Sequence, residues 1–313
     1  MKFVTGEEIS KALKFEELIA ELRSAFQGNV TAPMRHHHDY ANPQEEIDST
    51  LLLMPAWEAG KDLGVKLVTV SPNNGKFNLP AVQGIYILWD AHQGTPTAVL
   101  EAKTLTKKRT AAASALACSF LSRQESSSLL MIGTGSLAPE LIQAHSCVRN
   151  ITQVFIWGRS PQKARTVKEA LDLSAECRAV EDYREVISEV DIISCATLSK
   201  EPLVFGDQLK PGQHVDLVGA YKTDMREADD QTVMKSAVFV DVLAGMRESG
   251  DIKIPLENGL LVEEDIRADL FKLCRGEHDG RLSDQEITMF KSVGHAIEDL
   301  AAARLVQRRL CLR

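Results

Sequence analysis

Aromatic residues are scarce in this chain, and long apolar runs are absent. Phe, Trp and Tyr together make up 5% of the 313 residues, which argues against the base-stacking surfaces of single-strand nucleic-acid binders. The formal charge of −8 argues against a basic nucleic-acid footprint. No apolar run reaches the ~20 residues that a membrane-spanning helix needs. The remaining composition is that of a globular protein with one large or two ordinary domains.

The cysteines and the first residues predict the cell compartment. The chain has six cysteines without paired spacing, which we interpret as reduced thiols. Their positions are Cys118, Cys147, Cys177, Cys195, Cys274 and Cys311. The opening Met-Lys-Phe-Val-Thr-Gly-Glu-Glu lacks the basic and apolar regions of a secretory signal. We therefore expect a cytoplasmic protein with no membrane or nucleic-acid partner.

A glycine turn after a buried strand is the most informative stretch. The apolar run Leu129–Ile132 ends at Gly133, and the sequence from there, Gly-Thr-Gly-Ser-Leu-Ala, has the form G-x-G-x-x-A. In a dinucleotide-binding unit Gly133 permits the sharp turn, Gly135 lets the backbone approach a pyrophosphate, and Ala138 lets helix and strand pack closely. Free N–H groups at the helix start then face the anion. By itself such a triplet also fits an ordinary strand–helix turn.

The next strand predicts which dinucleotide binds. The run Val154–Trp157 follows at the distance that a βαβ unit needs, and it ends in Gly158-Arg159-Ser160. An acidic residue at this place binds the ribose 2′-hydroxyl of NAD, whereas an arginine accommodates the 2′-phosphate of NADP. Because Arg159 and Ser160 offer a cation and a hydroxyl, we expect NADPH, with NADH as the alternative. A solvated loop arginine is the competing interpretation of Arg159.

The alternation of predicted strands and helices continues beyond this βαβ unit. Further core strands are predicted at 191–197, 214–220 and 237–241. Ligands of open parallel sheets bind beyond the carboxyl ends of the strands, so Gly133, Arg159, Thr197 and Gly219–Tyr221 should line one crevice. The pattern predicts an α/β fold, a Rossmann-type doubly wound parallel sheet, over residues 110–284.

The first hundred residues follow another pattern. An amphipathic helical stretch precedes predicted strands at 50–55, 64–70, 82–89 and 97–101, with Pro, Gly and Asn between them. This predicts a mostly antiparallel α+β domain. We assign to it residues 1–109 and a returning tail, residues 285–313, whose amphipathic helix should open at Lys291–Gly294.

Two features of this domain suggest chemistry. The adjacent histidines His36–His38 suggest a metal, but neighbours on a strand point to opposite faces, so at most His36 and His38 could share one ion. No other His/Cys cluster completes a site, and we predict no metal. Lys66 lies inside a strand on the face opposite Val65 and Leu67, where a solvent-facing lysine is the simplest interpretation.

Several short motifs resemble the ornithine cyclodeaminase/mu-crystallin family, in the same order over nearly the whole chain. They are Leu-Met-Pro55, the Lys66 strand, Leu105-Thr-Lys-Lys-Arg109-Thr110-Ala-Ala-Ala-Ser, the Gly133-Thr-Gly135 turn, Val218-Gly219-Ala220 and Phe290-Lys-Ser292-Val-Gly294. The resemblance implies a homodimer with a discontinuous substrate-binding and dimerisation domain and a Rossmann domain. It also implies that Arg35, Lys66 and Arg109 hold the substrate carboxylate and its neighbouring carbon–nitrogen group.

The resemblance also implies roles for residues of the second domain. Thr110 would contact the cofactor phosphates, and Ser292 would lie near the nicotinamide. With the turn and strand-end residues, the expected dinucleotide-binding set is Arg109, Thr110, Gly133, Gly135, Ser136, Leu137, Arg159, Ser160, Ala196, Thr197, Val218, Gly219, Ala220 and Ser292. The three substrate-binding cations are expected to repel one another until an anionic substrate enters.

Two departures from the family pattern narrow the expected activity. Leu53 stands where the cyclodeaminases have a catalytic glutamate, and Tyr221 stands where they have an aspartate. At these places the chain is similar to the branch that reduces cyclic ketimine carboxylates, the Δ1-pyrroline-2-carboxylate reductases. Their products would be proline or, from the six-membered ring, pipecolate. The alternatives are ornithine cyclodeamination, an alanine dehydrogenase reaction, or small-molecule binding with NADPH like that of mu-crystallin.

Overall fold

The chain forms two β-sheets in a computed structural model that describes residues 1–45 and 47–312. Glu46 and Arg313, which the expected domain ranges include, lie outside the described residues. The strands are β1 Lys2–Val4, β2 His36–Tyr40, β3 Ser49–Trp57, β4 Asp62–Val70, β5 Val82–Asp90, β6 Thr95–Glu101, β7 Ser128–Ile132, β8 Gln153–Trp157, β9 Glu176–Ala179, β10 Ile192–Cys195, β11 His214–Leu217, β12 Ser236–Val240, β13 Ile266–Asp269 and β14 Ile287–Lys291. The α-helices are α1 Gly6–Ala12, α2 Phe15–Gln27, α3 Ala102–Leu121, α4 Ala138–Val148, α5 Pro161–Glu169, α6 Asp230–Lys235, α7 Gly250–Glu257, α8 Leu270–Arg275 and α9 Ala296–Arg309. In the described part of the chain, no helix is long and apolar enough to cross a membrane.

The first sheet has the strand order β1-β6-β5-β4-β3-β2. Strands β2 to β6 form an antiparallel meander, and β1 pairs with β6 in parallel. Two glycines with left-handed backbone, Gly60 (φ 73°) and Gly94 (φ 67°), lie in the tight β3–β4 and β5–β6 turns. The predicted antiparallel sheet is therefore confirmed, with β1 as an additional edge strand.

Helix α9 covers one face of this sheet. It packs on β3 and β4, and α2 packs on α9 in turn. The side chains of β4 alternate accordingly, with Lys66 and Val68 buried and Val65 and Leu67 half-buried. Arg304 of α9 reaches the β3–β4 hairpin, with Nε 2.8 Å from Asp62 Oδ2 and Nη1 2.9 Å from Glu58 Oε2. This double ion pair fixes the helix along the strand that carries Lys66.

The second sheet is parallel throughout and has the order β13-β12-β14-β11-β10-β7-β8-β9. The strands predicted from the apolar runs are confirmed as β7, β8, β10, β11 and β12. From β7 the chain runs outward to β8 and β9, and it then returns to place β10 on the other side of β7. This reversal is the switch point at which ligands of open α/β sheets bind.

The chain divides into two compact units, and their limits differ in part from the expected domain ranges. One unit comprises Met1–Arg109 and His295–Arg313, and the other comprises Thr110–Gly294. Residues 285–294 were expected with the first domain, but Ile287–Lys291 forms β14, a fully buried strand between β11 and β12. The tail helix accordingly begins at Ala296 and not at Lys291–Gly294, because those residues end the strand and leave the sheet.

Candidate active site

Lys66, Arg109 and two acidic residues form a buried cluster in the first unit. Lys66 Nζ lies 2.8 Å from Asp299 Oδ2 and 3.0 Å from Asp299 Oδ1. Arg109 donates from Nε to Asp299 Oδ1 at 3.0 Å and from Nη1 to Glu298 Oε2 at 2.6 Å. Each of the four side chains is 5% exposed or less. The interpretation of Lys66 as solvent-facing is therefore wrong. Arg109 still repels Lys66, as expected, but Asp299 bonds to both cations and offsets part of that repulsion.

Three elements of the first unit bring these side chains together. Lys66 points inward because it has the buried parity of β4, and Arg109 lies in the alanine-rich α3. Glu298 and Asp299 belong to the first turn of α9, where the helix dipole favours carboxylates. Sequence reasoning missed both acids, since an acidic pair at a helix start is a common solvated feature. The only available signal was their position within a helix whose other side chains are mostly apolar.

Arg35 completes the set of predicted substrate-binding cations. It precedes His36, whose cross-strand partner is Leu53, so it lies at the level of Met54 and Lys66 across the sheet. Its side chain is half-buried, and its charge contributes to lowering the Lys66 pKa. Arg35 thus adds a third cation near Lys66 and Arg109.

Burial controls the protonation of this cluster. Burial, reinforced by repulsion from Arg109, lowers the pKa of Lys66 to about 8, although Asp299 acts in the opposite direction. Burial would raise the pKa of Asp299, but Arg109 and Lys66 outweigh it and hold that pKa below its ordinary value. The cluster thus combines a fixed carboxylate, a permanent cation and an ammonium that can release its proton near neutral pH.

The strand beside Lys66 offers no carboxylate to this cluster. Leu53 was expected at the position of the cyclodeaminase glutamate, but it pairs with Leu67 and lies on the face opposite Lys66. Leu52 and Met54 share the face of Lys66, and β3 contains no acidic residue at all. The second departure, Tyr221, is half-buried after β11. Neither Leu53 nor any other residue of β3 therefore supplies the carboxylate that the cyclodeaminases have on this strand.

The histidines of β2 lie on an exposed edge strand. The rings of His36 and His38 are 6.3 Å apart between centroids, on the same face of the strand. Across residues 1–45 and 47–312, no group of three or more His, Cys, Asp or Glu side chains is arranged to hold a metal ion.

The predicted dinucleotide-binding residues of the second unit lie at one edge of its sheet. They follow the carboxyl ends of β8, β7, β10, β11 and β14, which are consecutive neighbours. In that order they are Arg159 and Ser160; Gly133, Gly135, Ser136 and Leu137; Ala196 and Thr197; Val218, Gly219 and Ala220; and Ser292. Thr110 is half-buried on α3, whereas Arg109 belongs to the ion-pair cluster of the first unit.

The glycine turn has the geometry of a phosphate cradle. Gly133 has a φ of 124°, and a Cβ there would lie 2.5 Å from the Ala196 carbonyl oxygen. A Cβ on Gly135 would meet no atom within 4 Å, which leaves room for a ligand at the start of α4. Ala138, the first residue of α4, is 1% exposed. These features fit the pyrophosphate of a dinucleotide.

The loop after β8 lacks an acidic residue and exposes a cation. Arg159 is exposed, and Ser160 Oγ accepts a hydrogen bond from Lys163 N at 3.4 Å, so Ser160 also caps α5. A Cβ on Gly158 would lie 2.6 Å from Thr134 Cγ2, so this loop packs directly on the glycine turn.

A buried aspartate that sequence reasoning missed holds the loop after β14. Ser292 is 1% exposed, and its Oγ donates to Asp241 Oδ2 at 3.3 Å. The same oxygen accepts from Val293 N at 2.8 Å and from Gly294 N at 2.6 Å. Asp241 directly follows β12, and its place at the end of a predicted strand was the one signal of this role.

Comparison with known proteins places this geometry in a family. The sequence model of the ornithine cyclodeaminase/mu-crystallin family matches residues 2–311. An uncharacterised protein of Schizosaccharomyces pombe is 42% identical, over 98% of this chain and 97% of the relative. The Δ1-pyrroline-2-carboxylate reductase of Colwellia psychrerythraea is 36% identical over 99% of both chains. The structure of Thermococcus litoralis Δ1-pyrroline-2-carboxylate reductase in complex with NADH and L-proline has a TM-score of 0.92 at 34% identity, over 99% of this chain and 98% of that one. This chain therefore belongs to the ornithine cyclodeaminase/mu-crystallin family.

Proposed function

We propose that the protein reduces cyclic ketimine carboxylates with a nicotinamide dinucleotide. The five-membered substrate, Δ1-pyrroline-2-carboxylate, gives L-proline, and the six-membered Δ1-piperideine-2-carboxylate gives L-pipecolate. The observation that carries the proposal is the buried cluster of Lys66, Arg109, Glu298 and Asp299, with Arg35 near enough to lower the Lys66 pKa. The relatives named Δ1-pyrroline-2-carboxylate reductase, one of them bound to NADH and L-proline, support it.

Two arginines bind the substrate carboxylate in this mechanism. Guanidinium groups of Arg35 and Arg109 form charge-assisted, forked hydrogen bonds with a carboxylate. Arg109 is already held by Asp299 at 3.0 Å and by Glu298 at 2.6 Å. Because the side chain is ordered before the substrate arrives, binding costs little additional side-chain entropy.

Lys66 supplies the proton for the imine nitrogen. A protonated imine accepts a hydride more readily, and an acid with a pKa near the working pH transfers protons efficiently. The Lys66 pKa of about 8 meets this condition, and Asp299 keeps Nζ in place at 2.8 Å. Lys66 donates directly or through a water that it orients, and it regains its proton from solvent after the amine has formed.

The loops of the second unit bind and orient the dinucleotide. When bound, that cofactor supplies the hydride for the imine carbon. Ser136 and Leu137 would hold the pyrophosphate through the backbone at the start of α4, Gly133 and Gly135 would permit its close approach, and Arg159 would bind the 2′-phosphate. Further contacts are proposed for Arg109, Thr110, Ser160, Ala196, Thr197, Val218, Gly219, Ala220 and Ser292. NADPH is the proposed cofactor, with NADH as the weaker alternative.

Following NADPH oxidation with different substrates tests the proposal against its alternatives. We expect oxidation with the five- or six-membered cyclic imino acid and none with pyruvate plus ammonia. Ammonia release from ornithine with NAD⁺ would instead support a cyclodeaminase. Tight NADPH binding without turnover of any of these substrates would support a binding protein.

The cofactor preference is expected to depend on Arg159. A charge-assisted contact with the 2′-phosphate contributes about 1.5–3 kcal/mol, so Arg159→Asp should lower the preference for NADPH over NADH by about tenfold or more. The measurement is kcat/KM with each dinucleotide. Arg165→Asp makes the same charge change on the exposed side of α5 and should leave the preference nearly unchanged. Equal use of both cofactors by the wild-type protein would refute the role of Arg159.

The uncovered face of the first sheet supports a homodimer. Apolar side chains form cross-strand rows on the face opposite Lys66; most are half-buried in the single chain, and Ile85, the partner of Leu67, is exposed. The central members of these rows are Leu53, Pro55, Val65, Leu67, Ile87 and Trp89. A monomer rarely exposes a continuous apolar surface of this kind. We propose that a second copy of the chain covers it, sheet against sheet.

Light scattering tests the homodimer. We expect twice the chain mass of 34.5 kDa at micromolar concentration. Val65→Asp should shift the mass toward the monomer, because a charge would be buried in the interface. Leu282→Asp, at a 63% exposed apolar residue of the second unit, is the control and should stay dimeric. A wild-type monomer mass would contradict the assembly.

A further inference from the structure

One buried carboxylate, Glu227, bonds to two loops at the carboxyl edge of the second sheet. Its Oε1 accepts hydrogen bonds from Thr197 N at 2.7 Å and Thr197 Oγ1 at 3.1 Å. Its Oε2 accepts from Gly219 N at 2.7 Å and from Ala220 N at 3.1 Å. Glu227 is fully buried. A single side chain therefore ties the loop after β10 to the loop after β11.

Glu227 is itself held by two further buried charges. Its backbone N donates to Asp251 Oδ1 at 2.7 Å, and Asp251 Oδ2 lies 3.0 Å from Lys291 Nζ. Lys291 Nζ also lies 3.6 Å from Glu227 Oε2. Lys291 ends β14, directly before Ser292, so the network extends to a third loop of the same edge. All three charged side chains are buried. Apolar side chains of the same volume would often make the protein more stable than such a buried ion cluster does.

The loops after β10 and β11 are also in direct backbone contact, and Gly219 permits this contact because it has no side chain. A Cβ on Gly219 would lie 2.0 Å from the Thr197 carbonyl oxygen and 2.1 Å from Thr197 N. Backbone N–H groups that are fixed in this way point in defined directions at the switch point of the sheet. A ligand that binds at this edge meets loops that are ordered in advance, which lowers the cost of binding.

We propose that Glu227 is a positioning residue for the dinucleotide, acting through the backbone of Thr197, Gly219 and Ala220. The inference rests on the proposed function, since it takes the dinucleotide to bind at this edge. Glu227 does not contact the reacting atoms. Its role is to hold two cofactor-binding loops in register, while Asp251 and Lys291 keep its carboxylate oriented. An ion cluster that serves only folding stability would affect unfolding but not dinucleotide affinity.

The test measures NADPH dissociation constants by fluorescence for Glu227→Gln and for a matched control. Both Glu227 oxygens accept backbone N–H groups, so the amide NH₂ of glutamine must face one of these donors, and one loop is released. We expect the Kd for NADPH to rise by about tenfold or more. The imino acid KM, measured at saturating NADPH, should change much less.

Asp191→Asn is the matched control at the opposite edge of the sheet. Asp191 Oδ2 accepts from Ser127 N at 2.8 Å and from Ser128 N at 3.0 Å, at the amino ends of β7 and β10. It is a carboxylate that caps backbone donors of the same sheet, like Glu227, but away from the proposed dinucleotide site. We expect Asp191→Asn to lower the melting temperature and to leave the NADPH Kd within about twofold of wild type, ~0.4 kcal/mol.

The possible results separate this inference from the proposed function. An NADPH Kd that is unchanged in Glu227→Gln, or raised equally in Asp191→Asn, overturns the inference while leaving the reductase proposal intact. A wild-type protein that binds neither NADPH nor NADH overturns both. If Glu227→Gln does not fold, Glu227→Asp replaces it, because the shorter carboxylate keeps its charge but cannot reach both loops. A smaller rise in Kd then supports the inference, and an unchanged Kd overturns it.

Discussion

Arg109→Ala is expected to destabilise the first unit and to impair substrate binding together. Removing the guanidinium deprives Glu298 Oε2 and Asp299 Oδ1 of their bonds from Arg109, in a region where the side chains are 5% exposed or less. Removing one partner of a buried ion pair lowers the free energy of unfolding by about 3–5 kcal/mol. Loss of the bond to the substrate carboxylate, worth about 1.5–3 kcal/mol, should raise the KM by about 10-fold to 150-fold. Urea denaturation and steady-state kinetics measure the two effects.

Arg109→Lys separates the two effects. Lysine keeps a positive charge beside Asp299, so most of the stability should return, but it lacks the planar fork that binds a carboxylate through two bonds. We therefore expect a KM well above wild type in a protein that folds. Arg35→Ala, which removes a half-buried arginine at the edge of the cluster, should raise the KM with a smaller loss of stability. An Arg109→Ala protein with wild-type stability and wild-type KM would contradict the assignment of this cluster.

Lys66→Met is expected to lower kcat by about 10²–10⁴-fold, the usual contribution of a positioned acid. Methionine fills a similar volume, and Asp299 keeps its bond to Arg109 at 3.0 Å, so the protein should fold. The control is Lys108→Met. Lys108 is a second buried lysine, close to the cluster in sequence, and its Nζ lies 4.4 Å from the Phe15 ring centroid. It should keep kcat within about a factor of two, ~0.4 kcal/mol. A Lys66→Met enzyme with a kcat near that of wild type would show that Lys66 only binds the substrate and does not supply the proton.

The pH profile gives an independent measure of the same role. Burial and Arg109 lower the pKa of Lys66 to about 8, and the reaction requires the protonated form. Hence kcat/KM should be constant below that pH and fall as the pH rises through it, since this parameter reports the free enzyme. The imine nitrogen of the substrate also titrates, so the profile is repeated with Lys66→Arg. If the fall in kcat/KM moves to higher pH in Lys66→Arg, Lys66 is the group that titrates. If the fall stays at the same pH, the substrate imine is the group that titrates.

Local sequence patterns predicted much of the fold and the clustering of the proposed dinucleotide-binding residues at one edge of the second sheet. The Gly133 turn could be predicted because only glycine fits there: its φ is 124°, and a Cβ would clash with the Ala196 carbonyl oxygen. The parallel strands β7, β8 and β10 are short apolar runs at βαβ spacing, which is a local property of the chain. The position of Lys66 opposite Val65 and Leu67 also followed from strand alternation. The burial of that face could not be predicted, because the helix that covers it, α9, lies more than two hundred residues later in the chain.

The parts that sequence reasoning missed depend on partners distant in the chain. Asp299 is separated from Lys66 by 233 positions, and no local pattern distinguishes it from a solvated acid at a helix start. Strand β14 was missed because we assigned residues 285–313 to a tail of the first domain with a helix opening at Lys291–Gly294. The ion pair that buries Lys291 beside Asp251 is visible only in the folded structure. Glu227 lies in an irregular segment whose spacing resembles no motif, so its bonds to two loops required the folded structure.

Transfer of deuterium from NADPH labelled at C4 of the nicotinamide tests the central claim most directly. Proline formed from Δ1-pyrroline-2-carboxylate is analysed by mass spectrometry, with each of the two C4-deuterated forms of the cofactor in turn. We predict one deuterium at Cα of proline from one of the two forms, together with oxidation of an equal amount of NADPH. Proline that carries no deuterium from either form, or NADPH that binds but is not oxidised, would contradict the assignment of this protein as a cyclic ketimine reductase.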